Sequence, residues 1–162
     1  MKRALTIAMI AGLAMSGQEA AAATATASLG VQMQINAQCV VTGGTMTFPA
    51  AGGIITANVD TSASITVQCT NTTPYTVGLD AGAQAAAGAT TAMRKMISGS
   101  NYLNYTLYQD SARQTVWGTT GAGLLGGTGS GAAQTIQVYG RVPTQVVPAG
   151  NYADTVQITV TY

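Results

Sequence analysis

The chain has no histidine, one tryptophan, one phenylalanine and four prolines in 162 residues, and only 7% of it is charged. Without imidazole, the commonest general base and metal ligand are missing. Two cysteines with no histidine cannot complete an ordinary zinc site. Asp60, Asp80, Asp110 and Asp154 are scattered too thinly to build a carboxylate pair, and capping or turn roles account for Asp80, Asp110 and Asp154. A Ser–Lys nucleophile would need Lys95 beside Ser98 or Ser100, and nothing in the spacing recommends it. The expectation is therefore a chain with no catalytic residue, no metal and no cofactor, and not an enzyme.

Long apolar runs are also scarce. Ala4 to Met15 is broken only by Thr6 and Gly12, follows Lys2 and Arg3, and leads through Ser16–Glu19 to Ala20–Ala23. A basic start, a short apolar core and small residues at a cut site are what a signal peptidase reads. The run is too short to cross a hydrocarbon core of about 30 Å as a helix. Residues 1–22 are expected to be a signal peptide cut after Ala22, leaving residues 23–162 as one exported domain that is not membrane-embedded. In that segment Arg94, Lys95, Arg113 and Arg141 cancel Asp60, Asp80, Asp110 and Asp154. So neutral a chain has no electrostatic footprint for nucleic acid or an anionic membrane, and little protection against self-association. Cys39 and Cys69, an even count in an exported chain, read as a disulfide.

One motif misleads. Gly121-Ala122-Gly123-Leu124-Leu125-Gly126 matches the dinucleotide fingerprint, which works only where the turn opens a helix. Here Gly127-Thr128-Gly129-Ser130-Gly131 follows, which starts no stable helix, and a flexible loop is expected. The sequons at Asn71 and Asn104 are short enough to arise by chance, and no sugar is expected on them.

What is present is alternation. Ala23, Ala25, Ala27, Leu29, Val31, Met33 and Ile35 are apolar, with Thr, Ser, Gly, Gln and Asn between them. Such a row describes a strand with one buried face. Similar rows run through Ile65, Val67 and Cys69; Tyr75, Val77 and Leu79; Leu103, Tyr105 and Leu107; Ile136 and Val138; and finally Val156, Ile158, Val160 and Tyr162. Gly43-Gly44, Gly52-Gly53, Asp110-Ser111 and Pro148–Asn151 punctuate them. Short Thr-rich strands separated by such turns predict an all-β antiparallel sandwich. Residues 81–92 are rich in Ala but carry Gly82 and Gly88 and no helical stripe, so they read as a long loop.

The segments Arg94-Lys95-Met96, Leu103–Asp110, Arg113 and Trp117-Gly118, with Tyr139–Pro143 and Pro148–Thr155, resemble the signature of the spore coat protein U domain family. That family includes subunits of archaic chaperone–usher pili and a spore coat protein. The resemblance implies an incomplete immunoglobulin-like sandwich, completed by donor-strand exchange with a neighbouring subunit. It makes residues 23–36 the candidate donor strand, with Ala27, Leu29, Val31, Met33 and Ile35 as its anchors. It makes Val156, Ile158, Val160 and Tyr162 the strand that faces a periplasmic chaperone. It also implies an outer-membrane usher, neighbouring copies of the chain as partners, and a destination at the cell surface in adhesion or biofilm formation. Alternation reports burial on one face and not whose core it enters, so the first row either is donated or folds into its own domain. A spore or surface coat protein, or a carbohydrate-binding module using Trp117 and exposed tyrosines, are the alternatives on the same fold.

Overall fold

β3 (Val59–Cys69) buries Ile65, Val67 and Cys69 and turns Ser64 and Gln68 outward, as a two-residue period dictates. In this computed structural model, which describes residues 22–162, β3 lies between β1 (Cys39–Thr42) and β8 (Gln134–Val142). β6 (Asn101–Tyr108) and β5 (Arg94–Ser98) extend the sheet in the order β1-β3-β8-β6-β5, and all its pairings are antiparallel. A second sheet has the order β10-β4-β7, built from β4 (Pro74–Leu79), β7 (Leu125–Thr128) and β10 (Ile158–Thr161). A small ladder joins β2 (Ile54–Ile55) to β9 (Gln145–Val146). The fold is all-β and sandwich-like, as expected.

The core forms where the inward rows meet. Ile65 and Val67 of β3, Val138 of β8, and Tyr105 and Leu107 of β6 cluster with Tyr75, Val77 and Leu79 of β4. Trp117 is fully buried among them; its backbone N–H donates to Leu107 O at 2.9 Å and its indole N–H to Val77 O at 3.0 Å. Trp117 thus bonds to β6 of one sheet and β4 of the other. β8 spends one inward position on Gly140 because the Met46 thioether and the Phe48 ring lie directly over it, leaving no room for a Cβ. The Asp110 turn is held by its own carboxylate, which accepts the N–H groups of Gln114 and Thr115, and these bonds hold its pKa below the usual carboxylate range.

Cys39 and Cys69 stand directly opposite one another in the β1–β3 register and form a disulfide. Closing a loop of that length contributes roughly 3–4 kcal/mol in the chain-entropy model. Cys39→Ser is expected to lower the melting temperature and the purified yield together; an unchanged melting temperature would show the bridge to be dispensable.

Four expectations need correction or bounding. The signal peptide lies outside the described residues except for Ala22. The alternating row at 23–36 forms no strand here: the chain divides into units 1–34 and 35–162, and residues 22–38 carry no strand. Leu29, Val31 and Met33 are 88%, 85% and 84% exposed, and Ile35 is 70% exposed. Alternation supplies an apolar face, but a strand also depends on a neighbouring strand to ladder with, which side-chain order does not encode. The expected flexible loop after Trp117 holds a 3-10 turn at Gly121–Gly123 and then β7, whose Gly127 packs against the Tyr75 ring where any side chain would collide. With glycine at 126 and at this contact position, the strand shows no hydrophobic pattern. The last row is shorter than its alternation: Val156 precedes β10 and Tyr162 lies beyond it, 58% exposed. Residues 81–92 remain irregular apart from a 3-10 turn at Ala85–Ala87, which Gly88 ends at φ 78°.

Candidate functional site: an apolar groove between the sheets

Residues 43–48 leave β1 and run beside β3, turning Met46 and Phe48 inward while Thr45 and Thr47 face out. Thr61 Oγ1 anchors this stretch by donating to Thr47 O at 3.0 Å. Opposite it, residues 152–158 cross from one sheet to the other. Ala153 exchanges N–H···O bonds with Ile97 of β5, at 2.9 and 3.1 Å, and β10 then pairs with β4. Between the two stretches lies a cleft of about 420 Å³. Its floor is Ile65, Val138, Tyr105 and Leu107, with Met96 at the β5 side. Met46 and Phe48 form one wall, and Val156 and Ile158 form the other.

These wall residues pack against the core but remain partly exposed. A complete sandwich would cover them. Among the described residues β10 pairs with β4 alone and β1 with β3 alone, so each is the edge of its sheet. The two edges approach at Gly43, where a Cβ would touch Ile158 Cδ1 at 3.4 Å. An edge strand beside an apolar groove is a template for a further strand, whose backbone satisfies the edge and whose alternate side chains fill the groove.

One end of the groove is polar and pinned. Tyr105 Oη donates to Asp154 Oδ2 at 2.6 Å, while Asp154 Oδ1 accepts from Ala83 N at 2.9 Å and Thr155 N at 2.8 Å. Burial first, and the Asp154 carboxylate second, push the Tyr105 phenol pKa far upward, so it stays a donor. Beneath it Arg94 is fully buried. It donates to the carbonyls of Asp80 (2.7 Å), Thr91 (2.7 Å), Leu79 (2.9 Å) and Trp117 (2.7 Å). Burial lowers the Arg94 pKa; Tyr105, Asp80 and Asp154 oppose that shift. Asp80 Oδ1 accepts from Gly82 N and Gln157 N, both at 2.9 Å. This cluster fixes where residues 152–157 leave the β5 edge, and with it one wall of the groove.

The sequence-derived residues divide accordingly. Val156, Ile158 and Val160 turn inward against the core, Val156 and Ile158 lining the groove, while Tyr162 does not join them. Ala27, Leu29, Val31, Met33 and Ile35 are all exposed. Met46, Phe48 and the Arg94–Tyr105–Asp154 cluster were not anticipated as parts of a site. The alternation of Thr45 to Phe48 was a readable signal for the first two. A lone arginine opening an apolar strand was a weaker one for the third.

The spore coat protein U domain model matches residues 25–159. No curated protein sequence matches the chain. Among solved structures, the chain is similar to one in the chaperone–tip adhesion subunit pre-assembly complex, CsuC–CsuE, from the archaic chaperone–usher Csu pili of Acinetobacter baumannii. The TM-score is 0.59 at 22% identity, over 79% of this chain and 40% of that one. At that identity the likeness speaks for the fold, and this chain spans well under half of its neighbour's length. A family match over nearly the whole described length, on an antiparallel sandwich with an open groove, makes the chain a member of the spore coat protein U domain family.

Proposed function

We propose that the protein is a structural subunit of a chaperone–usher fibre, exported through the periplasm to the cell surface and polymerised by donor-strand exchange. Residues 23–36 of one copy enter the groove of the next, with Leu29, Val31, Met33 and Ile35 in the apolar cleft and Ala27 continuing the row. The observation that carries the reading is the pairing of an unfilled apolar groove with an apolar row of strand period that is left exposed. Four large side chains at roughly 1.5–3 kcal/mol each contribute on the order of 6–12 kcal/mol before ordering entropy. A periplasmic chaperone holds the same edge before assembly by pairing beside β10 and covering Val156 and Ile158, and an outer-membrane usher receives the loaded subunit. The fibre serves attachment or biofilm formation.

A carbohydrate-binding module is disfavoured because Trp117, the one indole able to stack on a sugar, is wholly inside. A coat protein that packs without an usher shares the fold but gives the exposed row no task. Deleting residues 23–35 is expected to leave a chain that still folds and is held by its chaperone, yet joins no fibre. Electron microscopy of cells producing only that deletion reads the result, and fibres of normal number and length would end the proposal.

A further inference from the structure

The geometry points to the Cys39–Cys69 bridge as a load-transfer link: tension on the donated segment passes through the disulfide into β3 instead of peeling β1 away. This rests on the donor-strand reading above. β1 has four residues and pairs with β3 alone, and residues 22–38 before it carry no strand. A pull arriving along the chain therefore meets Gln38 and then Cys39. Gln38 holds Thr70 only by hydrogen bonds: its N–H donates to Thr70 Oγ1 at 2.9 Å, and its carbonyl accepts from Thr70 N at 2.8 Å and Thr70 Oγ1 at 3.1 Å. Such bonds are individually weak in water and yield one after another at a loaded strand end. The covalent bond does not.

Cys69 closes β3, which pairs with β8 at nine positions, from Val59 opposite Val142 to Val67 opposite Gln134. Load delivered to Cys69 is shared along the middle of the larger sheet. Without the bridge β1 lifts first, and the damage reaches further than four residues. Gly43, against Ile158, follows β1 directly, and the groove wall of Met46 and Phe48 follows Gly43. Peeling β1 would therefore loosen the groove that holds the neighbouring copy's segment. The bridge joins the end that pulls on one neighbour to the groove that grips the other. It also removes the chain between Cys39 and Cys69, a separation of 30 residues, from the extensible path.

Fibres assembled from the wild-type chain and stretched in an optical trap test this, before and after thiol reduction in place, with labelling of the freed thiols to confirm that reduction is complete. Fibres of the Cys39→Ala/Cys69→Ala variant serve as a second sample; should that variant fail to assemble, in-place reduction alone decides. On reduction the force for irreversible lengthening is expected to fall roughly twofold, following nine ladder pairs against four. Each yielding subunit should then release up to roughly 100 Å more chain. Unchanged force in fully reduced fibres would overturn the inference and leave donor-strand exchange standing. Wild-type cells that never form fibres would overturn the reading beneath it.

Discussion

Arg94→Met is expected to lower the stability of the domain by about 3–5 kcal/mol, the order expected when several buried acceptors lose one shared charged donor. The side chain is fully enclosed, and its guanidinium is the donor for the carbonyls of Leu79, Asp80, Thr91 and Trp117. Methionine fills the space but leaves those acceptors without that donor in a site closed to bulk water, and each buried acceptor left bare costs about 1–3 kcal/mol. The losses will not add in full, because the loop at 81–92 can shift to let water in. Arg94→Lys should recover little, since a compact ammonium cannot span the fork that the planar guanidinium spans. Urea unfolding of the purified chain at neutral pH measures both variants. A loss under 1 kcal/mol for Arg94→Met would mean that the cluster is not the brace described here. The effect should extend to the groove, because the same cluster pins Asp154 and Gln157 on the wall-forming segment.

Val31→Asp should abolish assembly while leaving the melting temperature of the unassembled chain where it was. Val31 is 85% exposed in the single chain, so a carboxylate there meets water and changes nothing within the domain. Entering a neighbour's apolar groove, the same carboxylate would lose its hydration with no cation to meet it, a penalty of several kcal/mol. Gln32→Asp, one residue along and on the opposite face of an extended segment, is the control and should assemble. Polymer formation followed by size-exclusion chromatography, beside thermal melts of both variants, separates the outcomes. A fall of several degrees in the Val31→Asp melt would place the row in its own core. Normal polymerisation by that variant would remove it from the groove.

Much of this architecture could be read from side-chain order, for a definite reason. Ile65, Val67 and Cys69, or Tyr75, Val77 and Leu79, lie on strands with one face in the core and the other toward water, and a two-residue period leaves that asymmetry in the sequence. The strands that leave no such asymmetry are those in which backbone carries the contact or the strand is very short. β7 has glycine at 127 because Tyr75 occupies the space a side chain would need. β2 and β9 are two residues each, too short to show any period. β1 leaves little mark because the stronger alternation lies before it, at residues 23–36, whereas the ladder begins at the cysteine. Trp117 and Arg94 were visible as unusual residues, but their partners lie 40 and 15 positions away along the chain, at Val77 and Leu79.

By itself the order of amino acids determined the class of the fold, the neutrality of residues 23–162, the pairing of Cys39 with Cys69 and the existence of a first row of strand period. All of these are local or compositional properties, set by alternation, charge count and cysteine parity. Tertiary structure alone decided that Met46, Phe48, Val156 and Ile158 face one another across an open cleft, and that Tyr105, Asp154 and Arg94 meet at its end. A groove is a relation between residues brought together from six strands and two loops, and a period counted along one strand carries no information about what stands opposite it.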